Sequence, residues 1–324
     1  MPSDAPIPLL RPSALTHSTR SVRRGEILLV GRGVYAPQEE WNALTAWERD
    51  LARVHAHLLV APHDVLCLES AALLWGLPTV GTGHPVHVLA SDGATSRRSG
   101  NVVVHTSAHD DRVIEEVAGV RLTSQADTCV DIARSRHPAA GLVVADATLR
   151  SDPASRAMSL VTLNEERASG RGRRAARWAL ARADGRAESA FESLSRAAIE
   201  WWGFPRPDLQ HWIGPEGRGG DRTDMWWPAQ SLAGEADGHA KYDGRFGDPL
   251  SALRAQDERD RRLRRHGARA VAHWSWEDVA DGEALRTLLM SFGLVPESPP
   301  DLARLATLRA MLRSRPRGAE TART

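Results

Sequence analysis

Apolar residues recur at helical spacing along Trp47, Leu51, Val54 and Leu58, which predicts an amphipathic helix over about 46–60. Just before it, VRRGEILLVGRGVYAP holds two short β-type runs, Glu26 to Val30 and Gly33 to Tyr35. With Gly31 and Gly33 between them they read as a tight hairpin. LESAALLWGLP has the spacing of a short helix stopped by Gly76 and Pro78. HPVHVLAS and GNVVVHTS alternate as strands, VAGVRLTS is a third, and QADTCVDIARSR followed by AAGLVVADATLRS predicts two helices.

The pattern changes between about 155 and 187, where RASGRGRRAARWALARADGR turns Arg- and Gly-rich and reads as a linker arm. A strong helix follows at AESAFESLSRAAIEWWGF, with Phe191, Leu194, Ala198 and Trp202 as the buried stripe and Glu188 and Glu192 four apart on one face. PRPDLQHWIGPEGRGG reads as a connection containing Pro and Gly. DRTDMWWP and SLAGEADG then form a strand pair joined at Pro228, Ala229 and Gln230. The charged helix LRAQDERDRRLRRHG and the strand ARAVAHWSW complete an α/β core.

Composition narrows the class. The chain has 324 residues, 42% hydrophobic and 26% charged, a balance of globular domains rather than of a disordered chain, and its length allows two cores. A formal charge of +1 neither requires nor excludes nucleic acid. Cys67 and Cys129 stand far apart with no zinc-ligand spacing, which fits a reducing compartment. No signal-type apolar run opens the chain and no stretch approaches the roughly 18 to 20 apolar residues of a membrane span, so the expectation is a cytoplasmic protein with no membrane partner.

Candidate chemistry gathers in the second half. Asp224 enters one strand, while Glu235 and Asp237 share a face of the next because side chains alternate with period two. Together with Glu192 they bring acids from three elements towards one place. Oxygen ligands of that kind, with a backbone carbonyl such as that of Ala236, suit Mg²⁺ or Mn²⁺. Such an ion polarises a phosphodiester and lowers the pKa of an attacking water. Lys241, the only lysine in the chain, is the candidate to support that water as a compact charge. The alternative for each acid is a solvated surface position, and the Trp226–Trp227 pair reads as strand packing rather than a base-stacking platform.

Residues 186 to 285 resemble the PD-(D/E)XK nuclease superfamily, in particular its branch similar to very-short-patch-repair endonucleases. The resemblance rests on ESAFES, RTDMWWP and GEADG in that order. It implies Glu192, Asp224 and Glu235 as metal ligands and Gln256 or Glu258 on the following helix. The expected catalytic set is Glu192, Asp224, Glu235, Asp237 and Lys241. Two residues after Glu235, where the superfamily motif carries lysine, this chain has Asp237, so Lys241 would have to reach in from beyond Gly238.

RRGEILLVGRGVYAP, ESAALLWGLP, VRLTSQADTCVDIAR and VVADATLR are similar, in order and spacing, to the AbiEi-like antitoxins of type IV toxin–antitoxin systems over residues 20 to 150. That family begins with a DNA-binding winged helix, here shortened and interrupted by Pro2, Pro6, Pro8 and Pro12. The resemblance implies DNA and a cognate nucleotidyltransferase-like toxin as partners. Arg23, Arg24 and Arg32 near the hairpin, Arg173 and Arg174 in the arm, and Arg261 and Arg262 on the charged helix are candidates for phosphate contact, or equally solvated basic faces. His84, His87, His105 and His109 lack ligand spacing and read as satisfied or surface histidines.

The expected architecture is α/β. A truncated winged-helix-like segment covers 1–36 and an antitoxin-like α+β domain 37–155. A helical linker covers 156–187, a restriction-endonuclease-like α/β core with a central mixed sheet 188–290, and a basic tail 291–324. Two functions follow: a Mg²⁺-dependent nuclease acting on DNA in defence or repair, or a non-catalytic antitoxin and transcriptional regulator that uses the nuclease fold as a scaffold.

Overall fold

A computed structural model describes residues 3–11, 13, 18–90, 95–106, 111–152, 156–216, 219–237 and 249–313, with backbone alone at 18–20 and 249–252. The chain is α/β with mixed sheets. It divides into two compact units, one holding residues 1–148 and 154–182, the other 149–153 and 183–314.

The first unit opens with α1 (Ser18–Arg23) and the hairpin β1 (Ile27–Gly31) and β2 (Val34–Pro37), paired antiparallel with a register irregularity between Leu29 and Gly31. Then come α2 (Gln38–Ala43) and α3 (Ala46–Val60). Thr45 and Glu48 close the start of α3 with a reciprocal capping box, which satisfies amide donors that helix geometry leaves free. Next are β3 (Val65–Leu66), α4 (Leu68–Leu74), β4 (Val86–Leu89), β5 (Arg97–Ser99), β6 (Val102–His105), β7 (Ile114–Val117) and β8 (Val120–Thr123). These strands form one mixed sheet in the order β5-β6-β4-β3-β8-β7. The buried faces of α3 (Leu51, Val54) and α4 (Leu73, Leu74) pack with Leu66, Val86, Val88, Val104 and Leu122 of the sheet in one core.

Helices α5 (Gln125–Ser135), α6 (Pro138–Ser151), α7 (Ala157–Glu166) and α8 (Arg173–Leu180) follow. Residues 156–187, expected as a linker, are therefore largely folded into the first unit. Ala176, Trp178, Ala179 and Leu180 are buried. The arginines between them conceal this apolar stripe in the sequence, because long charged side chains keep their heads in water while their stems cover apolar surface. Arg134 of α5 fastens the α7–α8 turn by donating to the carbonyls of Asn164 (3.1 Å), Arg171 (2.7 and 2.9 Å) and Ser169.

The second unit contains α9 (Ala190–Trp201), β9 (Asp208–Ile213), β10 (Asp221–Trp227), β11 (Leu232–Ala236), α10 (Pro249–Arg265) and β12 (Ala270–Trp274). It ends with α11 (Trp276–Asp281), α12 (Glu283–Ser291) and α13 (Leu302–Arg313). Its sheet runs β12-β11-β10-β9, antiparallel except for the parallel β11–β12 pair. A four-residue or longer β9 is absent from the sequence expectation because Pro205, Pro207 and the glycines after Ile213 mask a short alternating run. The basic tail expected over 291–324 is folded in part. Leu305 and Leu308 of α13 are buried, and the backbone N–H groups of Glu297 and Asp301 donate to the carbonyls of Gly203 and Trp201 (both 2.7 Å).

One face of this sheet packs Ile213, Trp226, Ala233 and Val271 with Leu263 of α10. On the other face the Trp274 indole N–H donates to the Ser195 hydroxyl of α9 at 2.9 Å. Gly234 leaves room for two indoles there: a methyl group at this position would stand 2.7 Å from Cη2 of Trp274 and 2.9 Å from Cζ3 of Trp227. Both rings are fully buried and cannot give way without disturbing the core. Gly234→Ala should therefore destabilise the second unit by about 1 to 3 kcal/mol, seen as a lower denaturant midpoint. An unchanged midpoint would show that this layer is loosely packed.

Candidate functional site

The sheet face that carries Trp226 and Ala233 turns polar toward the ends of β11 and β12. With Met225 opposite Gly234, the antiparallel register places Asp224 beside Glu235, and the parallel register sets His273 directly across from Glu235. Asp237 continues the ladder past β11, its N–H donating to the Trp274 carbonyl at 2.9 Å. Period-two alternation thus brings Asp224, Glu235, Asp237 and His273 onto one face, below α10.

Glu235 is 2% exposed. Its Oε2 accepts from Nη1 of Arg259 at 2.8 Å, whereas Oε1 is buried and accepts no hydrogen bond among the described residues. The Thr223 hydroxyl is near, but its single proton is directed to the carbonyls of Gly234 (3.0 Å) and Met225 (3.2 Å). Burial, and then the neighbouring Asp224 carboxylate, push the Glu235 carboxyl up to about 7, against the opposing pull of Arg259 and of the Thr223 hydroxyl. Asp224 is held at both oxygens: Oδ2 accepts the Ala236 N–H at 2.9 Å and Oδ1 the Gln210 amide at 3.4 Å.

Glu192 enters from α9. The helix begins at Ala190 with Ser189 as its cap, so Glu188 lies outside it rather than one turn before Glu192 on a shared face. Instead the Glu188 N–H donates to the Glu192 carboxylate at 2.9 Å, and the same oxygen accepts from Gln210 at 3.0 Å. Burial raises the Glu192 pKa, with Asp224 adding to the rise. Gln210 on β9 therefore ties two acids together, and it does so from a positive φ of 51°, a conformation that costs energy in a residue with a side chain. Sequence reasoning missed it because β9 itself was masked.

Asp237 is buried and accepts from His273 Nδ1 at 2.7 Å, while Gln256 donates to it at 3.4 Å. His273 also reaches Asp260 on α10 through Nε2 at 3.1 Å. Burial works against the charged imidazole, but the bond to Asp237 and the charges of Asp237 and Asp260 outweigh it and raise the His273 pKa. Of the two expected residues on the following helix, Gln256 faces this cluster and Glu258 is exposed. Lys241 lies outside the described residues. Among the described residues no three histidine, cysteine or acidic groups converge at metal-ligand geometry. Glu192 joins Asp224 through the Gln210 amide rather than directly.

The arginine candidates separate by surroundings. Arg262 is held by Asp221 at 2.8 and 2.9 Å, and Arg173 turns inward to the Arg167 carbonyl. Arg23, Arg24, Arg32, Arg174 and Arg261 are exposed, with Arg24 3.7 Å from Glu26 and Arg261 3.7 Å from Asp257. In the first unit His87 and His105 are joined at 2.7 Å between Nδ1 and Nε2, and His109 lies outside the described residues.

No family model matches the chain. It is 36% identical over 217 residues, covering 66% of this chain and 74% of each relative, to two proteins of Mycobacterium tuberculosis. These are the uncharacterized protein MT2308 of strain CDC 1551 / Oshkosh and the uncharacterized protein Rv2248 of strain ATCC 25618 / H37Rv. The chain belongs to the family of these mycobacterial proteins. No described helix is long and apolar enough to cross a membrane.

The elevated Glu235 pKa has a consequence for stability. Folded Glu235 keeps its proton up to about 7, whereas the unfolded side chain releases it near 4.5. The folded state binds more protons in that window, so stability falls as pH rises through it. Glu235→Gln should flatten this slope in chelator-treated protein and raise stability at pH 8 by at most roughly 3 kcal/mol. Parallel pH–stability curves for the two proteins would place the titration elsewhere.

Proposed function

We propose that the second unit is a nuclease-like module that hydrolyses phosphodiesters in DNA with a divalent cation, Mg²⁺ or Mn²⁺, held by Asp224 and Glu235, with Glu192 alongside. The observation that carries this is the buried Glu235 carboxylate, crowded by Asp224, whose Oε1 accepts no hydrogen bond among the described residues. Hard oxygen donors with spare lone pairs fit such an ion, and its positive charge would relieve the repulsion that raises the Glu235 pKa. When bound, it would polarise the phosphodiester and acidify an attacking water. The chain's own part is positional: Gln210 and the Ala236 N–H fix Asp224, and Arg259 holds one oxygen of Glu235. The order helix, three strands, helix, strand supports the PD-(D/E)XK resemblance, and the hairpin and sheet of the first unit fit an AbiEi-like antitoxin module acting with a nucleotidyltransferase-like toxin. Two buried free cysteines accord with a cytoplasmic setting.

One observation favours a second reading, a regulator that binds DNA without cutting it. At the position of the motif lysine, Asp237 is engaged by His273 and Gln256. Arg259 already offsets part of the charge on Glu235.

Supercoiled plasmid separates the two. With Mg²⁺ or Mn²⁺ the purified protein should nick or cut it, and Asp224→Asn should lower the rate by about 100-fold or more while DNA binding in a gel-shift assay persists. If wild type and variant bind alike and neither cuts, the regulator stands; if neither binds nor cuts, both readings fall.

A further inference from the structure

The first unit contains a cavity of about 620 Å³ whose wall, among the described residues, includes Arg112, Arg134, Arg136, Arg167 and Arg171 and two acids, Asp111 and Asp131. That volume lies in the range of small-molecule sites, which extend over roughly 300 to 1,000 Å³. Five guanidinium groups around one space are costly unless their charge is answered.

Three of the five are answered within the fold. Arg112 grips Asp131 in a two-pronged pair at 2.6 and 3.2 Å. Arg136 binds the buried Glu69, its Nη2 2.7 Å from Oε2, and its Nη2 also lies 3.3 Å from His87. Arg167, 4% exposed, binds Asp111 at 2.6 Å and Asp127, while its Nε is buried without an acceptor.

The other two form no ion pair with a described carboxylate. Arg134 is bound only to backbone carbonyls, which accept its protons without cancelling its charge. Burial and the neighbouring Arg173 and Arg167 lower its pKa against the partial pull of Asp131, as expected where cations are crowded. The Arg171 side chain is exposed at the rim and pairs with no described carboxylate. Guanidinium forks match the oxygens of a phosphate, and a dianion at this place would be met by both.

The rest of the wall is built differently. Cys67, Leu68 and Leu89 give it an apolar stretch, and His105 lies beside them. Burial, then the Arg136 charge, lower the His105 pKa, so the ring is neutral near pH 7 and adds polarity without positive charge. Leu68 holds φ at 50°, a strained conformation for a branched side chain, at the residue between the cavity-lining Cys67 and the buried Glu69. A wall that combines cationic groups, an apolar stretch and a neutral ring, around a volume well above that of a single phosphate, describes a ligand with an anionic head and an organic body.

We propose that this cavity binds a phosphorylated small molecule, with Arg134 and Arg171 receiving the phosphate and the Leu68–Leu89 wall facing the organic part. The site is independent of the acidic cluster in the second unit and of the reading given to it.

Isothermal titration of the full chain tests it with four probes: ADP, pyrophosphate, adenosine and a short DNA duplex. ADP should bind with a dissociation constant below about 1 mM, pyrophosphate should compete with it, and adenosine should not bind. Arg171→Glu alters an exposed side chain and leaves intact the carbonyl that holds Arg134, so it should fold normally by circular dichroism. It should weaken ADP by about tenfold or more, with Arg171→Lys falling between. ADP affinity that is undetectable, or equal in wild type and Arg171→Glu, overturns the proposal. So does a duplex that binds through Arg171 while the free phosphates do not.

Discussion

Placing the buried Glu235 carboxyl beside the half-buried Asp224 carboxylate is the constraint on which the second unit turns. Repulsion between Asp224 and Glu235 is a direct product of register: moving β11 by one residue would send Glu235 to the face packed by Trp227 and Trp274. The chain meets the cost in several small ways. Arg259 takes one oxygen of Glu235, the Ala236 N–H and Gln210 take those of Asp224, and Glu192 is anchored by its own helix entry. What remains is one buried acceptor oxygen and an elevated proton affinity, the condition of a site that lacks positive charge.

The first unit handles buried charge by the opposite arrangement. Glu69 is buried, yet the Arg136 guanidinium overcomes the effect of burial and lowers its pKa, and His87 is pushed down to about 4 by burial, so it stays neutral beside that pair. Asp127 likewise accepts from the Val113 N–H, the Ser124 hydroxyl and Arg167. Glu69 and Asp127 are thus supplied with donors, whereas among the described residues Arg134 and Arg171 at the cavity pair with no carboxylate. One chain therefore presents a deficit of positive charge at one site and a surplus at another, which a net formal charge of +1 conceals.

Elements governed by local pattern were legible in the sequence. The hairpin at Ile27–Pro37, the helix at Ala46–Val60 and the β10–β11 pair all follow from periodicity and turn residues close to them in the chain. So did the placing of Asp224 and Glu235 on facing strands, since one short turn fixes their register. What could not be read depends on distance along the chain. Asp237 meets His273 across 36 residues and Glu69 meets Arg136 across 67, and no spacing rule links such pairs. Gln210 was hidden for another reason: flanking prolines and glycines obscured its strand. The α7–α8 segment was misread because arginine is counted as polar while its stem covers a buried apolar stripe.

The proposed role of Asp224 and Glu235 is to hold a divalent cation between them. Titration of Mn²⁺ into metal-free protein, followed by electron paramagnetic resonance of the free ion, addresses it without reference to turnover. Saturable binding by the wild type, lost in Glu235→Gln and in Asp224→Asn, is the result expected. Manganese that stays free at every concentration tried, or that binds both variants as well as the parent, would contradict it.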